Sequence, residues 1–168
     1  MSRSRIAMLT AAAAAVLMLA FGVGLASATS GAHFFSSSGS VADSGALQVS
    51  WDEAGVGNAQ VNYTLSAQAS ATYACINGGG NHPKAANKQT VNGPVNSPNT
   101  GLQPENGRVT VTNGISVGPL SSTLTCPSGQ TFVLACVSYT GITLTDTTNN
   151  VSTSIGDVSR TFVAIRGC

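Results

Sequence analysis

A long run of strict alternation constrains this chain more than any other feature. From Val61 to Cys75 every odd position is apolar or aromatic: Val61, Tyr63, Leu65, Ala67, Ala69, Ala71, Tyr73 and Cys75. The even positions from Asn62 to Thr72 are all polar. Successive side chains of a strand point to opposite faces, so this pattern buries one face and wets the other, as in an antiparallel sheet. The run is long enough for one bent strand or two. "ALQVSW" places Leu47, Val49 and Trp51 on one face, and "RVTVTNGISV" does the same with Val109, Val111, Ile115 and Val117. "TFVLACVSY" is apolar on both faces and reads as a central strand. "GITLTD" and "RTFVAI" complete the set, with "VSTSI" a weaker candidate. The turn signals "GVGN", "PSGQ" and "DTTNN" punctuate these runs,. With no helical period anywhere after the N-terminal segment, the pattern predicts an all-β fold. The expected form is an immunoglobulin-like antiparallel β-sandwich, with a small barrel as the second choice.

The N-terminus reads as an export signal. Arg3 and Arg5 precede the apolar run Ile6 to Leu25, and Ala26-Ser27-Ala28 fits the small-residue pattern before a signal-peptidase cut,. The expectation is a signal peptide over residues 1–28, cleaved before Thr29, and one secreted domain over residues 29–168. The competing reading, a membrane anchor, is disfavoured by the Ala- and Gly-rich run and by the processing site that ends it. Loss of Arg3 and Arg5 leaves five basic residues against six acidic ones. Only 8% of the chain is charged, and no charge block exists that would steer nucleic acid or an anionic membrane surface,. No nucleic-acid partner is expected, and no membrane association after signal cleavage. No sorting motif or lipidation cysteine follows the signal, so free secretion is expected, with attachment to the cell wall as the variant.

Four cysteines remain: Cys75, Cys126, Cys136 and Cys168. An even number in an exported chain argues for two disulfides, and the wide spacings without a C-x-x-C pair argue against zinc. Cys126–Cys136 is the poorest pairing. A tight turn at "PSGQ" would place Cys126 opposite Thr131, several residues of strand away from Cys136, beyond the reach of a disulfide,. Geometry leaves two pairings open: Cys75–Cys126 with Cys136–Cys168, or Cys75–Cys136 with Cys126–Cys168.

One stretch breaks the alternation. From Ile76 to Gly107, 32 residues hold seven Asn, six Gly and four Pro. A connection this long inside a compact domain is usually functional or disordered. It opens with "CINGGGNHPKAANKQ", which carries both lysines of the chain and one of its two histidines. A single long Asn/Gly/Pro-rich loop is therefore expected, pinned at its root by Cys75.

His82 with Lys84 or Lys88 is a poor base set: no G-x-S-x-G elbow supplies a nucleophile, and Pro83 favours an extended backbone,. Asp52 and Glu53 are adjacent, so on a strand they face opposite ways and form no glycosidase pair by themselves. Asp52 could combine with Asp146 or Glu105 only through the fold; solvated strand-end charge is the plainer reading. "TDTTNN" and "WDEAGVGN" offer oxygen ligands for a cation but lack an EF-hand pattern, and turns suit them better,. The glycines Gly78 to Gly80 lack the lysine–serine ending of a phosphate cradle, so no cofactor is expected. Trp51, Tyr63 and Tyr73 fall on the apolar face and read as core. Tyr139, Phe34 and Phe35 are the better candidates for an exposed aromatic platform of a carbohydrate-binding module.

"EAGVGN", "CINGGGNHPKAANKQ", "CPSG" and "ITLTDTTN" resemble segments of a group of small secreted actinobacterial proteins to which no activity is assigned. The resemblance covers most of the chain after the signal, and the C-x-N-x-G-G-N-x-P-x-A-A-N-K run is its most specific part. It implies secretion and a β fold. Members carry cysteines matching Cys75 and Cys126, which implies that bridge and leaves Cys136–Cys168 as an additional one. At Cys136 and Cys168 this chain departs from the group's pattern.

The reading that emerges is a secreted, non-enzymatic β-sandwich that binds an extracellular protein or glycan, or serves structurally. Asn77, Asn81, His82, Lys84, Asn87 and Lys88 are the expected contact residues. The alternatives are a small hydrolase using His82, or a carbohydrate-binding or protease-inhibitor-like module that presents the 76–107 loop.

Overall fold

The computed structural model describes residues 31–78 and 87–168. The expected signal peptide and the centre of the "CINGGGNHPKAANKQ" stretch lie outside the described residues. The strands run β1 (His33–Val41), β2 (Leu47–Ala54), β3 (Val61–Asn77), β4 (Lys88–Asn96), β5 (Thr100–Leu102), β6 (Arg108–Val117), β7 (Gln130–Asp146), β8 (Val151–Ile155) and β9 (Val158–Thr161). A small sheet has the order β1-β2-β6, and a large one the order β4-β3-β7-β8, with β5 also on β3 and β9 also on β7. Every pairing is antiparallel. Among the described residues there is no α-helix. The all-β expectation holds, and the alternation behind it is visible in β3, whose odd positions from Val61 to Cys75 are all buried.

The inner faces of the two sheets share one core. Leu47, Val49 and Trp51 of β2 and Val109, Ile115 and Val117 of β6 pack with Tyr63, Leu65 and Tyr73 of β3 and with Tyr139, Ile142 and Leu144 of β7. "TFVLACVSY" and "GITLTD" form one continuous strand rather than two, and "RTFVAI" contributes only its first two residues to β9.

The expected 32-residue loop is not a loop. Lys88–Asn96 pairs with β3 from Ala74↔Lys88 to Ser66↔Asn96, and Thr100–Leu102 pairs with the first residues of β3. Pro94 and Gly93 disguise β4, yet an edge strand tolerates both because one side of its backbone needs no partner. What remains outside strands is the β3–β4 connection and the links that flank β5.

The two sheets differ in length. β3 and β7 have 17 residues each, roughly 56 Å at about 3.3 Å per residue, whereas β2 and β6 have eight and ten,. One end of the large sheet therefore overhangs the small one, and irregular chain covers it on both faces. On the inner face the segment following β6 lays Leu120 and Leu124 against the core, and the Leu120 carbonyl accepts the Tyr73 hydroxyl at 2.8 Å. On the outer face the C-terminal segment packs Val163 and Ile165 on Ala74 and Ala135. Each cover is locked by a disulfide: Cys75–Cys126 on the inner face, with 5.5 Å between Cα atoms, and Cys136–Cys168 on the outer, with 5.8 Å. Among the described residues no cysteine is free.

β6 forms the open edge of the small sheet, and a bulge blunts it. Between Val49↔Ile115 and Trp51↔Val111, three residues of β6 oppose one of β2, and the Asn113 amide donates to Ser50 Oγ at 2.9 Å. Such irregularities block edge-to-edge pairing. Gly114 is required there, since a Cβ at that position would lie 1.9 Å from Val111 Cγ1. Gly114→Ala is expected to destabilise the domain by about 1–3 kcal/mol, read from the midpoint of denaturant unfolding. Joint replacement of Cys75 and Cys126 by alanine is expected to cost about 2–4 kcal/mol and to open residues 118–129 to limited proteolysis. Unchanged proteolysis there would show that packing alone holds the cover.

Candidate functional site

The covered overhang carries the β3–β4 connection, where the sequence places its contact residues. Asn77 is exposed and pairs in register with Gln130. Asn87 Nδ2 donates to Gln130 Oε1 at 3.1 Å, and the Lys88 ammonium donates to the Arg166 carbonyl. Asn87 and Lys88 thus tie the root of the connection to β7 and to the C-terminal cover. Asn81, His82 and Lys84 lie outside the described residues. Sequence reading missed Phe132 at this end. It is 45% exposed and stacks on Tyr73 with centroids 5.1 Å apart and planes 9° from parallel. Its run, "TFVLACVSY", reads as buried on both faces, and only the shortness of the small sheet uncovers it.

Asp52 and Glu53 face opposite ways, as alternation requires. Glu53 is not a solvated strand-end charge: it is fully buried. It points across the sandwich, and its Oε2 accepts the Tyr63 hydroxyl at 2.7 Å, joining the small sheet to the large one. Among the described residues, its Oε1 and the nearby Trp51 Nε1 have no hydrogen-bond partner. Burial pushes the Glu53 carboxyl up to about 7; the Tyr63 hydrogen bond opposes this and the neighbouring Asp146 carboxylate adds to it,. Burial likewise pushes the Tyr63 hydroxyl far above its usual value, and the hydrogen bond to Glu53 adds to the shift.

Asp146 is also fully buried, but it is satisfied. Its Oδ1 accepts the amides of Thr148 and Asn149 at 2.8 and 3.0 Å, and its Oδ2 accepts Asn149 Nδ2 at 2.6 Å. "DTTNN" is accordingly a side-chain-capped turn. Among the described residues, no group of three or more His, Cys, Asp or Glu is placed to hold a metal ion.

The other side of the small sheet carries a second surface. Tyr139, expected as a platform, is instead buried, its hydroxyl donating to the Gly45 carbonyl at 2.7 Å, and Phe34 packs against the core. Phe35 is the aromatic that emerges. It sits at a bulge between Phe34↔Glu53 and Ser36↔Asp52 and is 60% exposed. The His33 ring lies 4.6 Å away, tilted, and the Arg108 guanidinium 5.3 Å from the ring centre. Arg108 forks onto Asp52: its Nε donates to Oδ1 at 2.6 Å and its Nη2 to Oδ2. The guanidinium beside Asp52 holds its carboxyl below the usual range. A two-residue turn fixes where Arg108 enters β6. Asn106 and Gly107 have φ of 52° and 74°, and Glu105 and Arg108 exchange backbone hydrogen bonds at 2.8 and 3.0 Å. Asn-Gly is the pair that type I′ turns favour, a signal legible in "ENGR". Beside this turn lies a cleft of about 460 Å³, lined among others by Gln103, Glu105, Asn106, Arg108 and Thr110.

Fold and surfaces together define an all-β domain of two packed sheets with two disulfides. No family model, no curated protein and no solved structure matches this chain.

The buried carboxyl predicts a pH dependence of stability. The titratable groups that act on Glu53 are Tyr63 of β3, Asp146 of β7 and, through charge alone, His33 of β1. Its ordinary value is 4.5, and in the fold it lies near 7, so the native state binds its proton more tightly than the unfolded chain does,. The stability from this group is fully present below about pH 4.5 and is lost as pH rises through about 7, on the order of 3 kcal/mol in all,. Glu53→Gln keeps an acceptor for Tyr63 and is expected to flatten the profile of unfolding free energy between pH 5 and 8. A wild-type profile already flat over that range would show that Glu53 stays charged in the fold.

Proposed function

We propose that this protein acts outside the cell as a non-enzymatic binding or structural module built on an immunoglobulin-like sandwich. The orders β1-β2-β6 and β4-β3-β7-β8 correspond to A-B-E and C′-C-F-G of that architecture, which supports the finer assignment,. Its bridges depart from the antibody pattern: both staple irregular covers to the large sheet, and neither joins the two sheets. Two disulfides suit an oxidising, extracellular compartment, in keeping with a signal peptide over residues 1–28 and a resemblance to small secreted actinobacterial proteins.

One observation carries the binding reading. The root of the β3–β4 connection is held by the Cys75–Cys126 bridge, by the Asn87–Gln130 hydrogen bond and by the Lys88–Arg166 contact, beside the exposed Phe132. A fixed root lowers the entropy lost when such a connection takes a partner. Amides adapt to a partner's donors and acceptors, and an exposed aromatic ring supplies contact area. The partner proposed for this surface is an extracellular protein or a cell-wall component, and no cofactor is needed.

Protein from culture supernatant is expected to begin at Thr29. It is expected to bind isolated cell wall or a purified extracellular protein. That binding should fall at least about tenfold on joint substitution Asn81→Ala, His82→Ala and Lys84→Ala, or on Phe132→Ala. Ester, glycoside and casein substrates should be hydrolysed no faster than by His82→Ala. Hydrolysis that depends on His82 would overturn this reading in favour of a hydrolase.

A further inference from the structure

We infer that the outer face of the small sheet, from the Phe35 ring across Arg108 into the cleft beside the Asn106–Gly107 turn, binds a neutral oligosaccharide. The inference goes beyond the loop-end surface: it assigns a different face and a definite ligand class.

The ring comes first. Among the described residues only Phe35 and Phe132 are large apolar side chains left exposed. Phe132 lies at the overhang, whereas Phe35 sits on the face directly behind the core. It is exposed because a β-bulge inserts it as an extra residue between two paired positions. Bulges re-aim side chains, and a Phe turned outward adds little to the core. The ring is nevertheless held in place. His33 packs against it, with the His33 Nδ1–H donating to the Gly31 carbonyl at 2.8 Å, and Arg108 lies alongside. An aromatic ring fixed by its neighbours offers a flat apolar surface to the C–H face of a sugar at low entropic cost.

The polar groups come next. Arg108 gives two of its five N–H donors to Asp52, which leaves three in the same plane,. Asp52 also accepts Thr110 Oγ1 at 3.3 Å. The pair therefore presents fixed donors and acceptors while its charges cancel. Sugar hydroxyls both donate and accept, so they suit such a pair. An anionic ligand would instead compete with Asp52 for Arg108, and a cation would compete with Arg108 for Asp52. Neutrality of the ligand follows from that pairing.

The cleft extends the site. Its volume of about 460 Å³ falls in the range of small-ligand sites,. Gln103, Glu105, Asn106 and Thr110 line it with amide, carboxyl and hydroxyl groups, alongside the apolar Leu102 and Val109. Arg108 belongs both to the cleft and to the Phe35 stack, so the two parts are continuous. A ligand that lies over the ring and enters the cleft must be longer than one sugar unit, hence an oligosaccharide.

The test is titration calorimetry of the full secreted chain with cellohexaose, chitohexaose and maltohexaose as neutral probes. A sulfated hexasaccharide serves as the anionic control. At least one neutral probe should bind the wild type, and Phe35→Ala should weaken it about tenfold or more. Arg108→Lys keeps the charge and loses the planar fork, and it should weaken the same probe with the unfolding midpoint unchanged. Gln103→Ala, on an exposed side chain, should weaken it as well. Phe132→Ala should leave it as it was. Three results would overturn the inference: no neutral probe bound at millimolar concentration, binding that survives Phe35→Ala and Arg108→Lys, or preference for the sulfated sugar. Binding abolished by Phe132→Ala but not by Phe35→Ala would also overturn it, while supporting the loop end as the interaction surface. Wild type that binds no sugar yet takes a partner through the loop end would sink this inference alone.

Discussion

The overhang of β3 and β7 beyond the small sheet is the constraint on which the rest of the structure depends. Two 17-residue strands paired along their length make a ribbon much longer than β2 and β6 can cover. An uncovered apolar face would leave Tyr73, Ala74 and Ala135 wet, at the cost of their burial,. The chain covers that end with the segment after β6 on one face and with its C-terminus on the other, neither of which forms regular structure there. Irregular chain lacks the cooperative ladder that holds a strand, so covalent staples do that work. Both disulfides sit at this end, one on each face. The β3–β4 connection is held as a consequence, since Cys75 stands at its start and Lys88, at its end, contacts the C-terminal cover.

A second constraint lies at the other end of the sandwich, where adjacent acids on β2 meet opposite environments. Asp52 looks outward and is neutralised by Arg108, which orders the surface around Phe35. Glu53 looks inward to a hydroxyl, an indole and a second carboxylate. Burial makes charging this carboxyl costly, and the Tyr63 hydrogen bond offsets only part of that cost,. One peptide unit thus separates a carboxyl that Arg108 holds below the usual range from one that burial pushes up to about 7. The Glu53–Tyr63 hydrogen bond is a buried polar tie between sheets that meet mostly through apolar side chains and, nearer the surface, through Ser37 with Thr153 and Arg160 with the Val41 carbonyl.

The strands legible in the sequence were β2, β3 and β6, whose alternation is strong, and β7, whose long apolar run reads as a central strand. Those missed have a physical excuse. β4 carries Pro94 and Gly93, β5 is three residues long, and β1 reads "HFFSSSGSV", whose serines hide its period. All three lie at or near sheet edges, where propensity matters less because part of the backbone faces water. Trp51, Tyr63 and Tyr73 are core as read, since they share the face of aliphatic neighbours. Tyr139 misled because its run is apolar on both sides, which leaves no period from which to assign a face. Glu53 misled for another reason: its position is inward by parity, but charge suggests water, and only a partner on the other sheet makes its burial tolerable.

The sequence by itself determined the class of the fold: alternating β structure and an even set of cysteines, which close into two disulfides. These follow from local period and composition, which act over a few residues at a time. The resemblance, not the spacing, pointed to Cys75–Cys126, the bridge that forms. Tertiary structure alone decided the rest. It set which aromatic emerges, which carboxyl is buried, and that Asp52, Phe35 and Arg108 meet although β1, β2 and β6 are far apart along the chain. Such juxtapositions depend on strand order and on the relative lengths of the two sheets, and no single segment of sequence carries either.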